Sequence, residues 1–134
     1  MKTKTDLPDF REQEVYKRAL RFRRDIYAIV KNFPEIEKYN LSDQMRRASA
    51  SVPANFSEGY SNHYYGKERD RLNTALGSIA ECQSFLDMAK MESYITQVQY
   101  RQLDDDAEII FGMLLGMIKE IDKILDQDDK EEEE

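Results

Sequence analysis

The chain has 134 residues, of which 40% are hydrophobic and 35% charged, with 5 glycines, 3 prolines and 1 cysteine. This length suits one domain with one core, and it excludes a multidomain enzyme with separate cofactor and substrate lobes. So few turn-forming residues disfavour an all-β sandwich or barrel, and a single cysteine excludes a disulfide framework and a multi-cysteine zinc site.

The formal net charge of −7 is divided unequally along the chain. Residues 1–71 carry 15 lysines and arginines against 11 acidic residues, whereas residues 72–134 carry 5 against 16. We expect an acidic disordered tail over residues 127–134, because runs of like charge repel one another. Residues 1–9 form a predicted N-terminal tail, which leaves residues 10–126 for a folded bundle. No apolar run approaches the roughly 18 residues that span a bilayer, and no secretory signal is visible, so we expect a cytoplasmic protein without a membrane partner.

The first two predicted helices each carry one apolar seam. The first covers residues 11–32, and it ends at Phe33-Pro34 because a residue before proline avoids helical angles. The second covers residues 42–60, with Asn40 as its expected N-cap. The seam of the first helix consists of Val15, Ala19, Phe22, Ile26, Ile29 and Phe33. The seam of the second consists of Leu41, Met45, Ala48, Val52, Phe56 and Tyr60.

Two further helices follow, and they complete an all-α prediction. The third covers residues 67–92, and the fourth begins at the capping box Thr96-Gln97-Val98-Gln99. The seam of the fourth helix consists of Leu103, Ala107, Ile110, Leu114, Met117, Ile121 and Ile124. Because the connections are short, we predict an antiparallel, up-down four-helix bundle.

The fourth helix is also apolar beyond its seam. The additional apolar residues are Ile109, Phe111, Met113, Leu115 and Ile118. Gly112 and Gly116 form a pair of small residues one turn apart, which lets another backbone approach closely. A helix that is apolar almost all round has to be covered on more than one side. These features favour a subunit interface, and a well-buried core helix is the alternative.

The second helix contains a proline in its interior, within Ser51-Val52-Pro53-Ala54-Asn55-Phe56-Ser57-Glu58-Gly59. Pro53 frees the carbonyl of Ser49, and the seam continues past it, so we predict a kinked second helix rather than two helices. The candidate polar motif consists of Ser51, Pro53, Asn55, Glu58 and Gly59. Its polar groups either satisfy one another, the freed backbone or a neighbouring chain, or form a ligand or nucleic-acid surface. A catalytic role is the third alternative.

Several of these motifs together resemble one family. They are Asp9-Phe10-Arg11-Glu12, Gln44-Met45-Arg46-Arg47-Ala48, the stretch from Ser51 to Gly59, and Gly77-Ser78-Ile79-Ala80-Glu81. The chain resembles the small bundle proteins of the 23S rRNA intervening-sequence family over residues 9 to about 92. The resemblance implies a homo-oligomeric ring, a pentamer, with no enzymatic activity and no cofactor. It also implies a nucleic-acid role, and related bundle proteins are accessory subunits of reverse transcriptases. The acidic C-terminal half departs from the basic relatives that bind nucleic acid.

A basic surface is the candidate nucleic-acid or protein interface. It consists of Lys17, Arg18, Arg21, Arg24, Arg46 and Arg47. In a monomer these side chains are an ordinary solvated face, but in a ring symmetry multiplies them, and phosphate contacts then release counterions. The expected function is therefore an RNA-associated or other nucleic-acid-associated assembly. A protein–protein scaffold or accessory subunit that binds no nucleic acid is the alternative.

We predict no catalytic centre, no metal site and no cofactor. The carboxylates at residues 104–108 are explained by the positive end of a helix dipole. His63 lies in a loop, where we expect it to be exposed, and Cys82 reads as a small core residue. Three tyrosines near the end of the second helix either stack on bases or pack at the end of the bundle, namely Tyr60, Tyr64 and Tyr65.

Overall fold

The structure is a computed structural model that describes residues 1–133. Its helices are α1 (Glu14–Val30), α2 (Leu41–Tyr60), α3 (Tyr65–Met91) and α4 (Gln97–Glu133). Short 3-10 helices at Phe10–Glu12 and Glu35–Glu37 precede α1 and α2. The described residues form no β-strand beyond one isolated bridge, between Thr3 and Tyr64. The predicted all-α, four-helix fold is therefore confirmed.

The four helices surround one core. α1 packs against α2 and α4, and α3 packs against the same two helices. Contacts between α2 and α3 join Ser51 to Ser78 and Glu58 to Arg71, so the two helices run in opposite directions. The α1 seam is buried along its whole predicted length, from Val15 to Phe33.

The seam of α4 differs from the prediction near its middle. Ile118 is buried and Met117 is only half-buried, whereas the predicted seam contains Met117. An α-helix with 3.6 residues per turn drifts by about 20° per heptad relative to a strict 3.5-residue repeat. After Leu114 the inward face has therefore moved by one residue, and a step of four replaces the expected step of three.

α2 runs through Pro53 as one helix, as predicted. Pro53 is buried, and the helix ends only at Tyr60. The kink remains a prediction. Asn40 is the N-cap residue of α2, as predicted, but its side chain makes no capping hydrogen bond. Its amide instead donates to Glu37, and its oxygen accepts from the side-chain amide of Gln44.

The capping box at the start of α4 is confirmed. The amide of Gln99 donates to Thr96 Oγ1 over 3.1 Å, and the amide of Thr96 donates to Gln99 Oε1 over 2.9 Å. Each side chain thus satisfies a backbone N–H that the first turn of a helix leaves without a partner.

Both ends of the chain differ from simple tails. α4 continues to Glu133, so residues 127–133 are helical where the sequence analysis places a disordered tail, and residue 134 lies outside the described residues. An ion pair at helical spacing, Lys130 Nζ to Asp126 Oδ2 at 3.3 Å, offsets part of the repulsion. Residues 2–4 are held by the backbone, since Lys4 N donates to His63 O and Tyr65 N donates to Lys2 O.

None of the helices within residues 1–133 combines the length and the apolar character that a membrane crossing requires.

Candidate functional site

The basic candidates on α1 share nearby carboxylates. Arg18 Nε and Arg21 Nη2 lie 3.3 and 3.4 Å from the same Glu14 oxygen. Arg24 Nε lies 3.9 Å from Asp25 Oδ1, and its side chain remains 75% exposed. Exposed pairs of this kind contribute only about 0.2–1 kcal/mol. The Nε atom of Arg18 is itself buried, so Arg21 and Arg24 are the guanidinium groups of this helix that are more accessible to a phosphate.

The two candidates on α2 have different surroundings although both pair with Asp43. Arg46 is half-buried, and its guanidinium donates to the carbonyl of Lys38 over 3.3 Å, which ties it to the connection before α2. Arg47 Nε lies 3.1 Å from Asp43 Oδ2, and its side chain is 80% exposed. Arg47 is therefore the more accessible of the two.

Part of the basic surface on α1 lies near α4. Burial raises the pKa of Asp106 on α4, and Asp25 raises it further, whereas Arg18 and Arg21 lower it. These two arginines therefore lie close enough to act on a carboxylate of the neighbouring helix. Arg18 and Arg21 thus act electrostatically on a carboxylate of α4, whereas Arg46 and Arg47 pair with Asp43 on their own helix.

One further cation lies on α1 outside the predicted set. Arg23 is half-buried, and its guanidinium carbon lies 4.0 Å from the ring centroid of Tyr27. The signal was available, because an arginine four residues before an aromatic residue lies next to it on a helix.

The polar motif of α2 holds α2 against α3. Ser51 Oγ lies 2.8 Å from Ser78 Oγ, and the Asn55 amide donates to both the carbonyl and the hydroxyl of Ser51 over 2.9 Å. Glu58 pairs with Arg71 on α3 at 3.2 Å. These groups partner one another and the neighbouring helix, and each is occupied in a contact within the bundle.

Gly59 completes this motif by allowing a close approach. A Cβ atom at this position would lie 2.8 Å from Arg71 Cβ and 3.1 Å from the carbonyl oxygen of Glu68. A larger residue would therefore push α3 away from the end of α2.

The outer face of α4 is open in this chain. Gly112 and Gly116 are exposed, and a Cβ atom added at either would meet nothing within 4 Å. Ile109, on the same face, is 45% exposed. Neither glycine is needed for close packing between helices within the chain. Packing of the bundle therefore does not explain why both residues are so small.

The acidic cluster at the start of α4 is divided between neighbours. Asp104 and Glu108 both accept from the side-chain amide of Gln83 on α3, over 3.2 and 2.9 Å. Within residues 1–133 no group of three or more His, Cys, Asp or Glu side chains is arranged to hold a metal ion. His63 is exposed as predicted, and burial raises the pKa of the Cys82 thiol to about 12.

A buried ion pair in the N-terminal segment was not predicted from the sequence. Lys4 Nζ lies 2.8 Å from Glu68 Oε1, and the two side chains are 8% and 5% exposed. The same ammonium group donates to the carbonyl of Tyr60 over 2.8 Å and lies 5.5 and 5.8 Å from the ring centroids of Tyr60 and Tyr65. Two of the three predicted tyrosines thus pack around a lysine at the end of the bundle.

Comparison with known proteins gives a consistent family. The profile of the 23S rRNA-intervening sequence protein family matches residues 11–116, well over half of the chain. A solved structure from Bacteroides thetaiotaomicron, a protein of unknown function from the S23 ribosomal protein family, is similar with 27% identity and a TM-score of 0.73. The similarity covers 78% of this chain and 95% of the other. A search of curated proteins finds no match. The chain therefore belongs to the 23S rRNA-intervening sequence protein family.

Proposed function

We propose that the protein is a non-enzymatic, homo-oligomeric bundle that associates with RNA through its α1–α2 basic cluster. This cluster consists of Lys17, Arg18, Arg21, Arg24, Arg46 and Arg47. The observation that carries the proposal is the charge that remains after pairing, because only Glu14, Asp25 and Asp43 are paired with these six cations on their own helices. With Asp106 on α4, which Arg18 and Arg21 also face, the acidic neighbours number four and the cluster keeps a net charge of +2. Its exposed pairs can exchange a carboxylate for a phosphate.

The family name supports RNA as the nucleic acid, since it refers to sequences that interrupt 23S rRNA. The absence of an enzymatic role is likewise part of the proposal. It is supported by the side chains that could take part in catalysis, because they are already engaged in other contacts or are buried. Asp104 and Glu108 bind Gln83, and Cys82 is buried.

A salt titration of binding to a structured RNA tests the proposal. We expect the logarithm of the binding constant to fall linearly with the logarithm of salt concentration. The variant Arg24→Glu with Arg47→Glu changes the two most exposed arginines of the cluster, and we expect it to weaken binding at least tenfold. A matched control, Lys67→Glu with Arg101→Glu, makes the same change in charge on α3 and α4, and binding should stay within about threefold of the unmodified protein. Equal losses in both variants, or binding that does not respond to salt, would contradict the proposal.

Self-association through the outer face of α4 is the second part of the proposal. Exposed Gly112 and Gly116, beside the exposed Ile109, allow the helix of a second copy to approach closely. In a pentameric ring, each copy would contribute its basic cluster to one assembly. We expect sedimentation at micromolar concentration to show an oligomer, which Ile109→Glu dissociates. Leu20→Glu on α1, at a position that is 42% exposed, is the matched control and should leave the oligomer intact. A folded monomer under these conditions would contradict this part.

A protein–protein scaffold or accessory subunit is the second candidate, and one observation favours it. Ile36, Tyr39 and Met91 are 82%, 85% and 84% exposed. The connection before α2 and the end of α3 lie together here, since one cavity is lined by both. Exposed apolar residues that cluster on a soluble protein mark binding surfaces for other proteins. This candidate predicts no binding to RNA at any salt concentration, and loss of a protein partner after Tyr39→Glu with Met91→Glu.

A further inference from the structure

A cavity of about 590 Å³ lies where the N-terminal segment passes the second half of α4. Residues from four parts of the chain line it, namely the N-terminal segment, the start of α1, the junction of α2 and α3, and α4. Pockets for small molecules usually measure about 300–1,000 Å³ and combine apolar walls with a few polar groups. This cavity has the size and the mixed lining of such a pocket, and it is open to solvent rather than enclosed.

The apolar part of the lining comes from α1 and α4. It consists of Val15, Met113, Met117 and Ile121. Methionine side chains are flexible and polarisable, so they adapt to apolar ligands of different shape. Gly116 lies between the two methionines on α4, and its missing side chain leaves open space at this wall.

The charged part of the lining is predominantly acidic. Four carboxylates line the cavity, those of Asp6, Glu14, Glu68 and Glu120, against the single ammonium group of Lys4. Lys4 is engaged by Glu68 at 2.8 Å, which leaves three carboxylates around the cavity. Two of these form other pairs, Glu14 with Arg18 and Arg21 and Glu120 with Lys123, and all of those pairs are exposed and therefore weak.

The end of the cavity at the α2–α3 junction already accommodates an amine. The ammonium group of Lys4 lies between a buried carboxylate, a backbone carbonyl and the faces of Tyr60 and Tyr65. Carboxylates and aromatic faces both attract cations, and neither accommodates an anion well. Because Lys4 already occupies these partners, the preference for a positively charged ligand rests on the other carboxylates of the lining, those of Asp6, Glu14 and Glu120.

We propose that this cavity binds a small organic cation, an amine carried on a short alkyl stem. The stem would lie against Met113 and Met117, and the ammonium group would be held by Asp6, Glu14 and Glu120. The cavity shares Glu14 with the basic cluster and Gly116 with the face of α4 proposed for self-association, so sedimentation and RNA binding are measured beside hexylamine binding, and the proposals can then fail separately.

Hexylamine is the probe, and hexanoate and hexanol are its anionic and neutral counterparts. We expect hexylamine to shift the backbone amide signals of cavity residues in the isotope-labelled full chain, with a Kd on the order of 1 mM for a ligand of this size. Hexanoate should bind at least tenfold more weakly, and hexanol should fall between the two. The absence of saturable shifts with hexylamine, or equal binding of hexanoate, would overturn the proposal.

Two glycines one turn apart provide a matched pair of variants. Gly116→Leu places a side chain in the cavity, whereas Gly112→Leu adds the same side chain to the same helix outside the cavity lining. Since a Cβ atom at either position meets nothing within 4 Å, both variants should fold. We expect Gly116→Leu to weaken hexylamine binding at least tenfold and Gly112→Leu to leave it unchanged. Equal effects of the two variants would overturn the assignment of the site.

A third variant tests the electrostatic part of the proposal. Asp6→Asn removes one carboxylate at the same size, and an exposed charge pair corresponds to a change in Kd of about 1.4- to 5-fold. We expect hexylamine binding to weaken by a factor in this range, with hexanol binding unchanged. An equal loss of hexanol binding would show that the substitution changes the shape of the cavity rather than its charge. That result would overturn the role of Asp6.

Discussion

Breaking the ion pair between Lys4 and Glu68 by removing one partner should cost more stability than breaking any of the exposed ion pairs within residues 1–133. Both side chains are almost completely buried, at 8% and 5% exposure, and their charged atoms lie 2.8 Å apart. Removing one partner of a buried pair leaves an uncompensated charge without water, which costs about 3–5 kcal/mol. We expect Lys4→Met to lower the free energy of unfolding by about 3 kcal/mol, which corresponds to a drop in Tm of roughly 10 °C for a domain of this length.

Urea unfolding at pH 7 measures this change, and an exposed pair of the same chemistry provides the control. Lys123 Nζ lies 3.1 Å from Glu120 Oε1, but these side chains are 74% and 70% exposed. Lys123→Met should change the free energy of unfolding by less than about 1 kcal/mol. The difference between the two methionine variants isolates the effect of burial from the loss of a lysine.

A second substitution at the partner position tests the cause of the loss. When both charges are replaced by apolar side chains, no unpaired charge remains, and such replacements are often neutral or stabilising. Lys4→Met combined with Glu68→Leu should therefore recover most of the stability lost in Lys4→Met alone. Hydrogen exchange at the amides of Lys4 and Tyr65, which donate to His63 and Lys2, reports whether the N-terminal segment stays in place. Equal costs for Lys4→Met and Lys123→Met, or additive losses in the double variant, would refute this reasoning.

Three further predictions concern single side chains. Thr96→Ala removes the capping box of α4 and should cost about 1 kcal/mol in urea unfolding, whereas Thr74→Ala, whose hydroxyl donates only to a carbonyl of its own helix, should stay within about 0.5 kcal/mol. Gly59→Ala should cost about 1–3 kcal/mol because its Cβ would lie 2.8 Å from a neighbouring side chain, and Gly77→Ala, where the space is open, should gain about 0.5–1 kcal/mol. The Cys82 thiol, with its pKa raised from 9.0 to about 12, should resist thiol reagents at pH 8 until urea unfolds the chain. Because the unfolded thiol ionises first, its contribution to stability should fall as pH rises from about 9 towards 12.

The parts of the fold that were predictable from the sequence depend on neighbours along the chain. The four helices follow from apolar residues at steps of three and four, and the box at Thr96 and Gln99 from a local exchange of two hydrogen bonds. Asn40 occupies the predicted N-cap position of α2 but does not cap the helix through its side chain, for the same local reason. This side chain has Glu37 and Gln44 within reach, and it bonds to them in preference to the backbone of α2.

The buried pair between Lys4 and Glu68 was not predictable, because 64 residues separate its members. Nothing in the sequence around Lys4 distinguishes it from the lysine at position 2, and Glu68 lies among exposed charged residues at the start of α3. The pair depends on the connection between α2 and α3, which brings the carbonyl of Tyr60 and the side chain of Glu68 to the same point. Contacts of this kind arise from the tertiary fold, and the spacing of residues along one helix carries no information about them.

The same distinction explains why the sum of charges along the chain is a poor guide to its surfaces. The N-terminal half has an excess of cations, but helical spacing places Glu14, Asp25 and Asp43 beside most of the arginines that form the predicted basic stripe. The arginines of the cluster that project furthest into solvent are Arg24 and Arg47, at 75% and 80% exposure. Conversely, the N-terminal segment brings Asp6 to a cavity whose other carboxylates come from α1, α3 and α4, although it belongs to the half of the chain with an excess of cations. The N-terminal half therefore contributes both to the basic cluster and to an acidic cavity, and the partner that each surface selects is decided by which charges the fold leaves without a close counter-ion.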